Sequence, residues 1–249
     1  MNHQNSWRDT PVWIINRNRL DIGFRDLLAW LQAAGMTKIA VIDNKSTYCP
    51  LLDFYANSYL MRRVQLVHPG ENLGFEAMWR LDLHKPPVTP EGSRYILTDA
   101  DIVPDADCPL DLVRKMHEVA DRACFQPTGA KVGPAIRIDD LPACFAERDH
   151  MRRCESDYWL RRYDEGDCWN AAIDTTMALY SAGWTRWPLA DQGGVPHVRL
   201  DFPYVVRHVP WYSNSANLSA EEKYYRAHVE GGFSSSCPVA VVEEKEEEQ

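Results

Sequence analysis

Four short apolar runs, each ending in polar residues and separated by segments of helical spacing, constrain this chain more than any other feature. Residues 12–16 (VWIIN), 38–43 (KIAVID), 64–67 (VQLV) and 94–98 (RYILT) read as strands buried on both faces, as in the parallel sheets of βαβ units. Between the first two, Phe24, Leu27, Leu28 and Leu31 recur at helical spacing, with Asp21 placed to cap the start and Gly35 to stop the end. Pro50 opens a short helix through residue 59, and residues 74–81 suit another. The expected fold class is therefore α/β, with a central and largely parallel sheet.

The second half is less regular. Residues 123–126, 131–138, 171–180 and 204–208 read as strands, and residues 148–163 as a helix rich in aromatic and basic side chains. A further helix begins near Pro109, with Asp105 or Asp107 as its cap. Ser219-Ala220-Glu221-Glu222 fits a capping box opening a last helix through His228. The expected organisation is one domain over residues 1–230, made of a first half at 11–108 and a second at 109–230. Residues 231–249 form a weakly ordered acidic tail, ending in the like-charge run EEKEEEQ.

A formal net charge of -9 over 249 residues argues against a surface that binds nucleic acid through its phosphates. Seven cysteines, an odd number without a C-x-x-C pair, point to reduced thiols and a cytoplasmic protein rather than a disulfide framework or a zinc knuckle. No apolar stretch approaches the roughly 20 residues of a bilayer span, which leaves room only for peripheral association with a membrane-borne partner.

The chemistry-bearing residues cluster at strand ends. Asn16-Arg17 follows the first strand, Asp43-Asn44 the second, Glu71-Asn72-Leu73-Gly74 the third, and Asp99-Ala100-Asp101 the fourth. Open α/β sheets bind ligands at the carboxyl ends of their strands. Two carboxylates one small residue apart offer oxygen ligands to a hard cation such as Mg2+ or Mn2+, with positions left open for phosphate. A bare D-x-D is most often a solvated turn, and Asn, Asp and Gly are common turn residues. Their ordered appearance at successive strand ends weighs against that reading here.

This order resembles the GT-A glycosyltransferases, especially family 2-like bacterial enzymes, over about residues 11–228. The matching segments are strand-Asn16-Arg17, strand-Asp43-Asn44-Lys45-Ser46-Thr47, Glu71-Asn72-Leu73-Gly74-Phe75 and Tyr95 through Asp101. The second segment departs from the family's usual D-D-G-S. The resemblance implies a single Rossmann-like domain that binds a nucleotide-diphosphate sugar together with Mn2+ or Mg2+ and transfers hexose to a glycan or glycolipid acceptor. It implies donor contacts from Asn16, Arg17, Asp43, Asn72, Asp99 and Ala100, with Asp43 at the nucleobase and Asp99 at the ribose. It also implies metal contacts from Asp99 and chiefly Asp101. GT-A enzymes commonly add a histidine ligand late in the domain. Arg207-His208-Val209-Pro210-Trp211-Tyr212 is similar to that element, with His208 on the metal and Arg207, Tyr212 or Ser213 at phosphate.

For the base that deprotonates the acceptor, Asp174 is preferred because an acid within an apolar segment is costly without a task or partner. Asp139, Asp140 and Asp191 are the other candidates. Trp159, Trp169 and Trp184 offer flat rings to a pyranose face, although most tryptophans are core residues. A haloacid-dehalogenase-like phosphohydrolase is the rival enzyme class, since Asp99 through Val103 satisfies D-x-D-x-V, with Thr128, Lys131, Asp139 and Asp140 downstream. That motif belongs on a first strand, whereas three strand-helix units precede it here. A non-catalytic carbohydrate-binding relative is a third reading, favoured if Asp101 and His208 lie far apart.

Overall fold

The structure, a computed structural model, describes residues 7–126, 129–163, 166–173, 176–180 and 195–229. The first half follows the expected alternation: β1 (Val12–Asn16), α1 (Phe24–Ala33), β2 (Ile39–Asp43), α2 (Cys49–Asn57), β3 (Val64–Val67), α3 (Ala77–Arg80) and β4 (Tyr95–Asp99). The second half adds β5 (Ile102–Pro104), α4 (Leu112–Ala120), β6 (Lys131–Ile136), α5 (Arg148–Ser156), β7 (Cys168–Asn170), β8 (Ala178–Tyr180), β9 (His197–His208) and α6 (Ala220–Ala227).

Among the described residues, nine strands form one sheet, ordered β3-β2-β1-β4-β8-β6-β9-β5, with β7 pairing on β9. Strands β1, β2, β3, β4, β6 and β9 share one direction, and β5, β7 and β8 oppose it. A single sheet thus runs through both halves of the chain. Side chains alternate across a strand, so continuous apolar runs have to be covered twice. Val12 and Ile14 enter the larger core with Phe24, Leu27, Leu28 and Leu31 of α1 and Leu112, Val113 and Met116 of α4. Trp13 and Ile15 enter a second core with Ala77, Met78, Tyr95 and Tyr180 on the other face.

Local stops and starts follow the residues. After α1, Gly35 takes φ 80, its amide reaches Gln32 O at 3.0 Å, and Met36 N reaches Leu31 O at 3.0 Å. This pair of bonds is the Schellman ending that a glycine allows. Ser219 accepts from Glu222 N at 3.1 Å and caps α6.

Several expectations need correction. Asp21 does not cap α1: Gly23 holds the cap position at φ 104, and Asp21 pairs with Arg25 at 2.8 Å. Neither Asp105 nor Asp107 caps α4, whose cap position is Asp111, with no side-chain bond to the helix's first amides. Residues Ala123–Phe125 form a 3-10 turn instead of a strand, and α5 gives way after Ser156 to a 3-10 turn at Asp157–Trp159. The strand expected over 171–180 shortens to β8, whereas β9 starts at His197, well before residue 204. The register of β6 on β9 jumps from Pro134↔Leu200 to Ala135↔Val205, and residues 201–204 bulge out of the ladder. The polar stretch around Asp201 therefore hid the continuity of β9 in the sequence. Reduced thiols fit Cys49, Cys108, Cys124, Cys144 and Cys168, which are free, but Cys154 is disulfide-bonded. Among the described residues, no helix is long and apolar enough to cross a membrane.

Two histidines tie stability to pH. His197 is buried and its Nδ1 accepts from Ile173 N at 3.2 Å. His117 lies between Thr10 Oγ1 at 2.9 Å and the Arg94 guanidinium at 3.2 Å, which leaves its Nδ1 only an acceptor's part. Burial, reinforced by Arg94 at His117 and by Lys131 and Arg199 at His197, pushes both imidazoles down to about 4. An unfolded histidine takes its proton near pH ~6.5. Between that pH and about 4 the unfolded chain therefore binds more protons, and stability falls as pH drops through this window. Urea unfolding midpoints measured from pH 7 to pH 4.5 should decline, and His117→Gln should flatten the decline. An unchanged slope in that variant would remove His117 from the account.

Candidate functional site

The site forms where the turn after β4 meets the end of β9. Ile102 of β5 pairs with His208, and Val209 N donates to Asp101 O at 2.9 Å. This short antiparallel ladder sets His208 Nε2 3.7 Å from Asp101 Oδ1. Their side chains are 26% and 15% exposed, so the pair is reachable while being largely walled by protein. The imidazole lies 4.7 Å from the Trp211 ring, and its Nδ1 is buried without a hydrogen-bond partner. The Asp101 turn is also fixed from β1, because Ala100 N donates to Ile15 O at 3.0 Å.

The loop from β1 to α1 closes against this turn. A Cβ on Gly23 would stand 2.6 Å from Asp101 Cα and 2.9 Å from Ala100 O, and the backbone there has φ 104. Only glycine combines that conformation with so close an approach. From the same loop, Arg19 extends behind Asp101, its Nε 3.5 Å from Oδ2.

Helix α6 holds the loop in place. Glu221 accepts backbone N–H bonds from Leu20 at 2.9 Å, Asp21 at 2.7 Å and Ile22 at 3.0 Å. Glu222 accepts from Arg19 at 2.5 Å and from Arg226 at 2.7 Å. The Tyr225 ring lies under the Arg19 guanidinium at 3.5 Å. Burial works against the charge of Arg19, yet Asp101 and Glu222 outweigh it and hold the guanidinium above its ordinary value. Burial likewise raises the Tyr225 phenol; Arg19 pulls it down, while Asp101 and Asp99 push it further up. Tyr224 adds hydrogen bonds from its hydroxyl to Thr47 O and Oγ1, both at 3.0 Å. Thus α6 spans the carboxyl edge of the sheet from the loop after β2 to Asp101.

Sequence reasoning missed Gly23, Arg19, Glu221, Glu222 and Tyr225. The two glutamates read simply as the first turn of a capped helix, and the partners that bury them lie about 200 positions away.

The expected donor contacts divide. Asn16 is fully buried and satisfied: its amide donates to Arg19 O and Tyr55 Oη, and its Oδ1 accepts from Arg19 N. It shapes the Arg19 loop. Ala100 is buried, with its amide on Ile15 O. Asp43 is buried and accepts from Tyr55 at 3.3 Å and Ser46 N at 3.2 Å, with half-exposed His68 3.5 Å away. Arg17 donates to His228 O at 3.0 Å. Asn72 is partly exposed and turns back on Gly74 N at 3.1 Å, in a loop that Asn44 anchors through Gly74 O and Leu73 N.

Arg207 lies in a separate network. Adjacent strand residues face opposite sides, so the residue before His208 points away from Asp101. Arg207 instead bonds Asp105 and Asp140, and Tyr212 donates to Asp140 at 2.7 Å. Burial opposes the charge of Asp105, but Arg207 holds its carboxyl below the usual range. Arg137 joins this network through Asp139 at 3.0 Å. Trp159 and Trp169 pack edge to face at 5.6 Å. Asp174, Asp191, Trp184 and Thr128 lie outside the described residues.

Among the described residues, no three His, Cys, Asp or Glu side chains converge closely enough to hold a metal ion by themselves. Asp99 therefore does not complete a three-ligand set with Asp101 and His208. The pair still suits a divalent cation, since it joins a carboxylate to an imidazole and leaves the remaining positions to phosphate oxygens.

No family model matches this chain, and no curated protein matches it. Among solved structures it is similar to a mannosyltransferase from Pyrobaculum calidifontis in complex with GDP-Man and Mn2+. That match has 17% identity and a TM-score of 0.39, and covers 53% of this chain and 36% of that one.

Glu221→Gln should cost about 1–3 kcal/mol, because an amide cannot replace a carboxylate that accepts three N–H bonds. Gly23→Ala should cost about 2 kcal/mol or more through backbone strain and the clash with Asp101. Chemical unfolding measures both, and losses under about 0.5 kcal/mol would contradict the anchoring described.

Proposed function

We propose that this chain is a metal-dependent glycosyltransferase, moving a sugar from a nucleotide-diphosphate donor to a hydroxyl acceptor. The observation that carries the proposal is the approach of Asp101 and His208 to 3.7 Å, from distant parts of the sequence, at the carboxyl edge of an α/β sheet. In this reading the two side chains hold the cation, and donor phosphates complete its shell. A bound Mn2+ or Mg2+ would neutralise the charge that develops on the leaving diphosphate.

The remaining roles follow from position. Asp99, at the end of β4, would meet the ribose, and the Asn72 loop would border the nucleoside. Asp43 would act through the groups it orients, Tyr55 and the Ser46 turn. A carboxylate takes the proton of the acceptor hydroxyl as the anomeric carbon passes from diphosphate to acceptor oxygen. Asp174 is proposed for this step. A phosphohydrolase gains no support: Lys131 is wholly buried, with Nζ on Ile173 O at 2.8 Å and over the Tyr180 ring.

Thermal shift with Mn2+ and nucleoside diphosphates tests this reading. The largest stabilisation should require both together and should vanish in Asp101→Ala and His208→Ala. Stabilisation by phosphate analogues and Mg2+ without a nucleoside would instead favour the phosphohydrolase. Asp174→Asn should spare donor binding and abolish transfer.

A further inference from the structure

We infer that Arg19 makes metal binding depend on the diphosphate, by fixing a positive charge directly behind the carboxylate that would hold the ion. This rests on the metal-site reading above and extends it to a residue on no expected motif. Arg19 is 4% exposed, and burying a guanidinium this deeply is costly unless acids surround it. Glu222 takes NH1 at 2.5 Å, and the Tyr225 ring covers the guanidinium at 3.5 Å. The Nε edge has no hydrogen-bond partner and faces Asp101 Oδ2 at 3.5 Å. Oδ1 of the same carboxylate faces His208 at 3.7 Å. One oxygen thus looks toward a fixed cation and the other toward the imidazole.

An ion bound at Oδ1 shares its carboxylate with that guanidinium. Two cations on one carboxylate repel, and the low dielectric around Arg19 strengthens the repulsion. Metal alone is therefore bound poorly. A diphosphate reverses the sign, because its negative oxygens are attracted by the ion and by the guanidinium together. The two ligands then bind as a pair, and each raises the affinity of the other by the same factor. A site with this property holds no ion after the diphosphate leaves, so metal and product depart together.

Glu222 sets the strength of the effect. It neutralises part of the arginine charge, and its place on α6 keeps the guanidinium from turning toward solvent. Lysine would keep the charge but lose the planar fork that reaches Glu222 and Asp101 at once.

Isothermal titration of the full chain with Mn2+, with GDP or UDP, and with both gives the test. In the wild type, each nucleotide tried with Mn2+ should bind tightly only as a pair. Arg19→Gln should tighten Mn2+ alone by about tenfold and shrink the synergy, whereas Arg19→Lys should leave Mn2+ alone weak. A merely structural role predicts weaker Mn2+ binding in both variants. If Arg19→Gln does not fold, Glu222→Gln decides: with more uncompensated charge behind Asp101, Mn2+ alone should bind less well than in the wild type while its synergy with the nucleotide grows, whereas a merely structural loss weakens both. The inference falls if Mn2+ alone binds no tighter in folded Arg19→Gln, or no more weakly in Glu222→Gln. A wild type that binds neither nucleotide with Mn2+ would overturn the glycosyltransferase reading along with it.

Discussion

The pairing of β5 with β9 is the constraint on which the rest depends. Directly after a tight turn, Ile102 finds His208 across an antiparallel ladder, and this fixes the distance between two side chains that have no local reason to meet. β9 itself is held by its long parallel pairing with β6 and by β7. The turn that carries Asp101 is therefore held between β4, in the interior of the sheet, and the β5–β9 ladder at its end. Side chains carried on regular elements hold their positions better than those on free loops.

Charge organises what surrounds the pair. On one side of β9, Asp101, Arg19 and Glu222 alternate in sign with Tyr225 as cover. On the other, Arg207 and Arg137 are shared among Asp105, Asp139 and Asp140. Period-two alternation separates Arg207 from His208, so neighbours in sequence serve different networks. Several of the chain's many acidic residues hold these arginines. The α6 helix, short by itself, gains its fixed position from two glutamates that each have buried partners on the β1–α1 loop.

The first half of the fold was legible because its signals are local. Strands covered on both faces give unbroken apolar runs, α1 shows its buried stripe at helical spacing, and Gly35 marks its end. The second half was harder, since β9 carries a bulge at 201–204 and residues 123–125 place aromatic and thiol groups on a 3-10 turn. At the site, Asp101 and His208 were visible as a strand-end acid and a late histidine, and they do come together. Arg207, Asn16 and Ala100 drew notice by proximity to those motifs; their contacts, Arg207 on Asp105, Asn16 on the Arg19 loop and the Ala100 amide on Ile15, were not legible in the sequence. Arg19, Glu221 and Glu222 were illegible because the interactions that define them join residues about 200 positions apart.

The central claim is that one cation is held by Asp101 and His208 with a diphosphate completing its shell. Electron spin-echo spectroscopy of Mn2+ bound together with a nucleoside diphosphate tests it most directly. The account predicts hyperfine coupling to an imidazole nitrogen and to phosphorus, with the nitrogen coupling lost in His208→Gln and the phosphorus coupling kept. Phosphorus coupling in the wild type without any nitrogen coupling would contradict it.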